Sequence, residues 1–141
     1  MRLQLALNVS DLDAAVDFYS RMFDAEPARR RPGYANFAIE EPPLKLVLFE
    51  TAAGAADAAG CCGTGGTINH LGVETETVEQ VVEAERRLSG EGLDTSGVDN
   101  VMCCYSEKSE TWVTDPDGSR WEWYVRTGDS EVLENVVVAS H

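Results

Sequence analysis

Thr67-Ile68-Asn69-His70-Leu71-Gly72-Val73 decides how the rest of the chain is read. It is a strand-like run that follows a segment composed almost wholly of Ala, Gly, Thr and Asp, residues 51–66, and after it an earlier pattern starts again. Upstream, residues 2–9 alternate as a strand, and Ser10 or Asp11 caps a helix through Phe23. In that helix Leu12, Val16, Tyr19 and Phe23 fall at helical spacing. Short strands follow at 26–31, 34–39 and 44–50, punctuated by Pro32-Gly33 and Pro42-Pro43. Downstream of Val73, a helix over 76–90 carries Val78, Val81, Val82, Ala84 and Leu88 on one side and ends at Gly90 or Gly92. Strands are expected at 93–98, 101–107, 111–114 and 120–125. The chain thus reads as an α+β protein of two βαβββ modules in tandem, 1–50 and 67–126, forming one domain over 1–126. A flexible linker, 51–66, joins them, and a mobile tail, 127–141, follows, although Val136-Val137-Val138 could pack against the domain. The repeat is one of element order, since identity between the halves is slight. Two such modules can curl their sheets around a shared cleft, with ligands offered from matching strands.

The 141 residues are enough for one domain with a core that needs no cross-links. A net charge of −14 argues against nucleic acid or an anionic membrane as partner, because both repel it. Residues 1–9 alternate and soon meet acidic groups, unlike a signal peptide, and no apolar run approaches membrane-spanning length. The expectation is a cytoplasmic monomer or homodimer that acts on a small molecule, with reduced cysteines rather than a disulfide framework.

The four cysteines come as two adjacent pairs, Cys61-Cys62 and Cys103-Cys104. No Cys-x-x-Cys spacing is present, which weakens a structural zinc site. Neighbours in a regular strand point to opposite faces, so for both sulfurs of Cys103-Cys104 to meet one ligand the backbone must turn or bulge there. A disulfide between neighbours is awkward, with Cα atoms about 3.8 Å apart where roughly 4.4–6.8 Å is preferred. Two free thiols side by side form a chelating site for a soft atom; the plainer alternative is two small buried apolar residues. Cys61-Cys62 reads as incidental thiols in the linker, or as a transient collector of soft metal.

Asn8-Val9-Ser10-Asp11-Leu12 followed by Phe18-Tyr19, then Asn69-His70-Leu71-Gly72-Val73, then Asp115-Pro116-Asp117-Gly118-Ser119-Arg120-Trp121-Glu122, resemble the motifs of the vicinal oxygen chelate superfamily. That group includes glyoxalase, extradiol dioxygenases and bleomycin-resistance proteins. The resemblance implies curved mixed sheets around one metal-containing cleft, with metal ligands falling on Gln4, His70 and Glu122. Pro32-Gly33-Tyr34-Ala35-Asn36-Phe37, Pro42-Pro43-Leu44-Lys45-Leu46-Val47-Leu48, Gly65-Gly66-Thr67-Ile68-Asn69-His70 and the Cys103-Cys104 pair look like the subgroup of carbon–arsenic lyases and cadmium-induced proteins. What that implies is an Fe(II)-dependent, O2-consuming enzyme acting on trivalent organoarsenicals, with Cys103 and Cys104 holding the arsenic.

The residues themselves qualify this. The chain has only two histidines, His70 and His141, so its ordered core cannot supply two histidines and a carboxylate to iron. Gln4 offers a neutral amide oxygen instead, a weaker set that Mn(II) or Ni(II) could also occupy. Alone, His70 on a strand reads as readily as a hydrogen-bonded core residue. Glu122 alternates with Trp121 and Trp123, and if it points inward it needs a cation. Arg29-Arg30-Arg31 reads as a solvated patch, and Trp112, Trp121, Trp123 and Tyr105 as core or as the wall of an aryl pocket. Two rivals stand beside the lyase: a cysteine-based module sequestering cadmium or arsenite, and another dioxygenase or thiol transferase of the same superfamily.

Overall fold

A computed structural model describes residues 1–51, 67–103, 105–129 and 136–140, with only the backbone of Cys103, Asp129 and 136–140. The segment read as a linker, including Cys61-Cys62, lies outside the described residues from 52 to 66, as does Cys104.

The first module runs β1 (Arg2–Val9), α1 (Leu12–Phe23), β2 (Arg29–Arg31), β3 (Tyr34–Ile39) and β4 (Leu44–Glu50). The second repeats it as β5 (Ile68–Glu74), α2 (Val78–Gly90), β6 (Asp99–Cys103), β7 (Ser106–Thr114) and β8 (Arg120–Asp129), and β9 (Val136–Ser140) follows. The described strands form one curled sheet in the order β2-β3-β4-β1-β5-β8-β7-β6-β9. Each module contributes four strands in the same sense: β1 pairs parallel with β4 as β5 does with β8, and β1 meets β5 antiparallel at the centre. The duplication read from element order is therefore a duplication in space.

Local chemistry sets the helix ends. Asp11 Oδ1 accepts from the Ala14 N–H at 3.0 Å, and Asp24, in the left-handed region, closes α1. Thr77 and Gln80 form a reciprocal capping box that starts α2. Strand alternation then divides the sheet into two faces. Leu7, Ala35, Phe37, Leu46 and Leu48 pack with Leu12 and Val16 of α1, while Ala6, Tyr34, Val47, Phe49 and Val101 gather separately. That second cluster lies on the face that carries Gln4.

Three expectations are corrected. Residues 93–98 are not a strand; only Thr95 bridges Val113, because Gly97 takes a left-handed φ of 78° and Ser96 turns its hydroxyl to the Trp112 N–H. Strand 101–107 is broken at Tyr105 (φ 62°), and 106–114 is one strand, because the Lys108 ammonium finds the Glu122 carboxylate inside the fold. The segment read as a mobile tail supplies the end of β8 and all of β9, which pairs antiparallel with β6.

Candidate functional site

Three neighbouring strands set the site. Gln4 of β1 stands in register with Gly72 of β5, and Gly72 with Glu122 of β8, so the three form a row across the sheet. His70, two residues before Gly72, shares its face. The row closes only because its middle member lacks a side chain. A Cβ on Gly72 would lie 2.9 Å from the Glu122 carbonyl oxygen, 3.0 Å from Glu122 Cγ and 3.3 Å from Gln4 Nε2.

The three expected site residues are thereby brought together, all buried. Gln4 Nε2 donates to Glu122 Oε1 at 2.8 Å and lies 3.1 Å from His70 Nε2, which is itself 3.4 Å from Glu122 Oε1. Two donors at neighbouring corners of an octahedron with bonds of about 2.0–2.2 Å stand about 2.8–3.1 Å apart; two sides of this triangle fall in that range and the His70–Glu122 side, at 3.4 Å, is slightly longer. Among the described residues no group of three His, Cys, Asp or Glu side chains is placed to hold a metal ion, so a cation here would take its third ligand from the Gln4 amide oxygen. The donor set fits such a cation: His70 Nε2 and Glu122 Oε1 aim lone pairs at one buried point.

A surrounding layer fixes those atoms. Asn69 commits its amide nitrogen to Asn8 Oδ1 at 3.0 Å, so its oxygen faces His70 Nδ1 at 2.8 Å. Nδ1 therefore carries the proton, and the Nε2 lone pair points into the site. Lys108, buried on β7, donates to Glu122 Oε2 at 3.0 Å and stands 3.2 Å from Glu110 Oε2, off the line of a hydrogen bond to it. Burial is the largest influence and pushes the Glu122 carboxyl up, but the Lys108 ammonium together with the neighbouring His70 and Glu110 groups outweighs it and holds the carboxyl well below the usual carboxylate range. Glu110 goes the other way, pushed up to about 7 by burial and by the Glu122 charge against the pull of Lys108. Of the two carboxyls, Glu122 is the ionised one. On the other side the Tyr124 hydroxyl donates to Gln4 Oε1 at 2.5 Å and reaches Glu74 Oε2 at 3.2 Å. Burial, with the Glu122 and Glu74 charges, raises the Tyr124 phenol and keeps it protonated.

A cavity of about 30 Å³ opens beside these groups, with Tyr34, Val47 and Phe49 from the first module and Ser106 and Lys108 from the second in its wall. Cys103 ends β6 paired with Ser106, one of those lining residues. The turn that follows is gripped by the first module: Arg29 Nη1 donates to the Tyr105 carbonyl at 2.5 Å, and the Tyr105 ring meets Tyr34 edge-on at 5.2 Å. Arg29 and Arg31, read as a solvated patch, thus face the hairpin, and only Arg30 turns outward to pair with Asp13. Of the aromatic residues, Trp112 is buried, with its ring 5.2 Å from His70. Lys108, Tyr124, Glu74, Asn69 and Gly72 were missed as site residues. The available signal was a lysine and a glutamate two apart within a strand, hence on one face, beside a second carboxylate.

Over residues 3–123 the sequence matches the Glyoxalase/Bleomycin resistance protein/Dioxygenase superfamily. It is 52% identical over 132 residues to the Cadmium-induced protein CadI of Mycobacterium bovis, covering 94% of this chain and 80% of that protein. Identity is 50% over 132 residues with the Trivalent organoarsenical cleaving enzyme of Thermomonospora curvata, covering 94% and 82% respectively. In fold it resembles the Mn(II)-bound glyoxalase of Novosphingobium aromaticivorans, with a TM-score of 0.61 and 16% identity over 93% of this chain and 40% of that one. Two βαβββ modules meeting along β1 and β5, and a sequence match that runs through both, lead to one conclusion: the chain belongs to the Glyoxalase/Bleomycin resistance protein/Dioxygenase superfamily.

Proposed function

We propose that this protein is a metal-dependent enzyme that cleaves the carbon–arsenic bond of trivalent organoarsenicals such as methylarsenite or aryl arsenites. The observation that carries the reading is the buried meeting of Gln4, His70 and Glu122, with His70 Nε2 and Glu122 Oε1 3.4 Å apart, beside the hairpin on which Cys103 lies. The printed name of the Thermomonospora relative supports the substrate class.

Gln4 through its amide oxygen, His70 through Nε2 and Glu122 through Oε1 would hold a divalent ion, Fe(II) by preference, with Mn(II) or Ni(II) as substitutes in vitro. When bound there, iron supplies the redox chemistry by which O2 can attack the substrate carbon. The chain's own residues do the rest. Cys103 and Cys104 condense with R–As(OH)2, forming two As–S bonds and releasing two waters, and so fix the arsenic. Lys108 keeps Glu122 ionised and occupies its Oε2, leaving Oε1 as the ligand atom. Tyr34, Val47 and Phe49 give the organic group an apolar wall and exclude water.

Two variants divide the site. Glu122→Ala should abolish arsenite release from methylarsenite with Fe(II) and air, yet leave the arsenical bound. Cys104→Ser should retain the metal and lose arsenical affinity by orders of magnitude, each 1.4 kcal/mol being about tenfold. The second reading, a module that sequesters cadmium or arsenite without turnover, is favoured by the name of the 52% identical relative. It predicts that Glu122→Ala is silent, because the unaltered protein releases nothing.

A further inference from the structure

The Gln4 carboxamide turns its nitrogen, not its oxygen, towards the other two corners of the triangle. Hydrogen bonding dictates this. His70 Nε2 and Glu122 Oε1 are both acceptors, and only the NH2 end of the amide can satisfy both, one hydrogen to each. Turned over, Gln4 Oε1 would face the carboxylate with no proton between them. The outward Oε1 accepts instead from the Tyr124 hydroxyl, which also lies 3.2 Å from Glu74 Oε2. A cation cannot be held by that arrangement. An amide nitrogen shares its electron pair with the carbonyl, so a metal takes the oxygen.

We propose that metal loading turns the Gln4 amide over, and that the Tyr124 hydroxyl is the rotor that permits it. Its proton swings from Gln4 Oε1 to Glu74 Oε2, and its oxygen then accepts from the Gln4 Nε2 that now faces it. A phenol suits this because it can donate or accept at the same place. A fixed donor such as lysine would block the turn. Glu74 is held ready for the second state by Arg2 Nε at 2.5 Å and Lys45 Nζ at 3.5 Å, and a carboxylate can accept from all three neighbours. Tyr124 and Glu74 are thus positioning residues for Gln4. The inference rests on the metal reading above.

The affinity test uses Mn(II), which prefers oxygen and nitrogen ligands to thiolate, with free ion followed by electron paramagnetic resonance. Glu74→Gln and Glu74→Met remove the same charge, but only the glutamine keeps a carbonyl acceptor for the hydroxyl. Glu74→Met should bind Mn(II) about tenfold more weakly than Glu74→Gln, the effect of a buried donor left without a partner. In a Tyr124→Phe background the two should agree within about twofold, since no hydroxyl remains to be placed. Equal affinities with Tyr124 present, or an unchanged difference without it, would overturn the inference while leaving the metal site standing. Absence of Mn(II) binding by the unaltered protein would instead remove the metal reading and this one with it. A second measurement avoids substitutions in the network. In protein with its four cysteines changed to serine, so that Zn(II) has no thiol to bind, the Gln4 side-chain amide protons should show nuclear Overhauser contacts to His70 without metal and to the Tyr124 ring with Zn(II) bound. Contacts that stay on His70 in the Zn(II) form refute the turn.

Discussion

Gly72→Ala is a one-carbon test of how the site closes. The added Cβ would stand 2.9 Å from the Glu122 carbonyl oxygen and 3.0 Å from Glu122 Cγ, where carbon–carbon contacts settle at about 3.5–4.0 Å. The contacts are with the backbone and near side chain of β8, which is pinned between β5 and β7, so no flexible side chain can swing away. The strands must separate by about half an ångström, and overpacking of this sort costs about 1–3 kcal/mol. Losing a glycine returns about 0.4–1 kcal/mol through the unfolded chain, leaving a net loss that reaches about 2.6 kcal/mol at most and is about 1.3 kcal/mol at the midpoints. At about 3–4 °C per kcal/mol for a chain of this size, the midpoint loss lowers Tm by about 4–5 °C. The displaced groups are Glu122 and, at 3.3 Å, Gln4, so Mn(II) affinity should fall at least tenfold as well. Thermal unfolding by circular dichroism and Mn(II) titration measure the two effects, with Gly90→Ala as the control, because nothing lies within 4 Å of a Cβ there. A Gly72→Ala protein with unaltered Tm and Mn(II) affinity would refute the packing argument.

Lys108→Met leaves the Glu122 carboxylate buried without its ammonium partner and should destabilise by about 3–5 kcal/mol, measured by urea unfolding. Saturating Mn(II) should restore part of that loss by replacing the missing charge, and a loss under 1 kcal/mol would show that the pair does not matter. Glu74 is partly buried, which raises its carboxyl, but the Arg2 hydrogen bond and Lys45 outweigh this and hold it below its ordinary 4.5. Its contribution to stability is therefore complete above about pH 4.5 and is lost as pH falls through the lower folded-state value. The unaltered protein should lose more stability than Glu74→Gln across that interval, and parallel profiles would exclude the contribution. Asp11→Ala removes the α1 cap and should cost about 1 kcal/mol by the same unfolding assay, with no change in Mn(II) affinity.

The sequence showed the frame wherever periodicity and punctuation agreed. The strands around Leu12 and Val16 alternate between a helix-covered face and the face that carries Gln4, and the restart at Thr67 doubled that frame. Gln4, His70 and Glu122 were legible through motif resemblance, and their meeting depends on a register that β1, β5 and β8 supply. Illegible parts share a cause: local composition pointed one way and tertiary partners another. Lys108 to Glu110 fell between the expected strands 101–107 and 111–114, yet they lie buried in one strand because the Lys108 ammonium pairs with the Glu122 carboxylate of the neighbouring strand. Leu93–Val98 looked strand-like by its apolar ends, but the polar residues and Gly97 between them bend the chain away after one bridge. Arg29 looked solvated because its acceptor, the Tyr105 carbonyl, lies far away in sequence and exists only once the modules meet.

The proposed function requires that Gln4, His70 and Glu122 hold a metal that makes this chain an enzyme and not only an arsenic binder. Its most direct test is to load the protein anaerobically with Fe(II), add methylarsenite, admit O2, and measure inorganic arsenite over time. Repeated turnover that needs both Fe(II) and O2, and is absent in Glu122→Ala, is the expected result. Protein that binds methylarsenite tightly and releases no arsenite with Fe(II), Mn(II) or Ni(II) in air would contradict it.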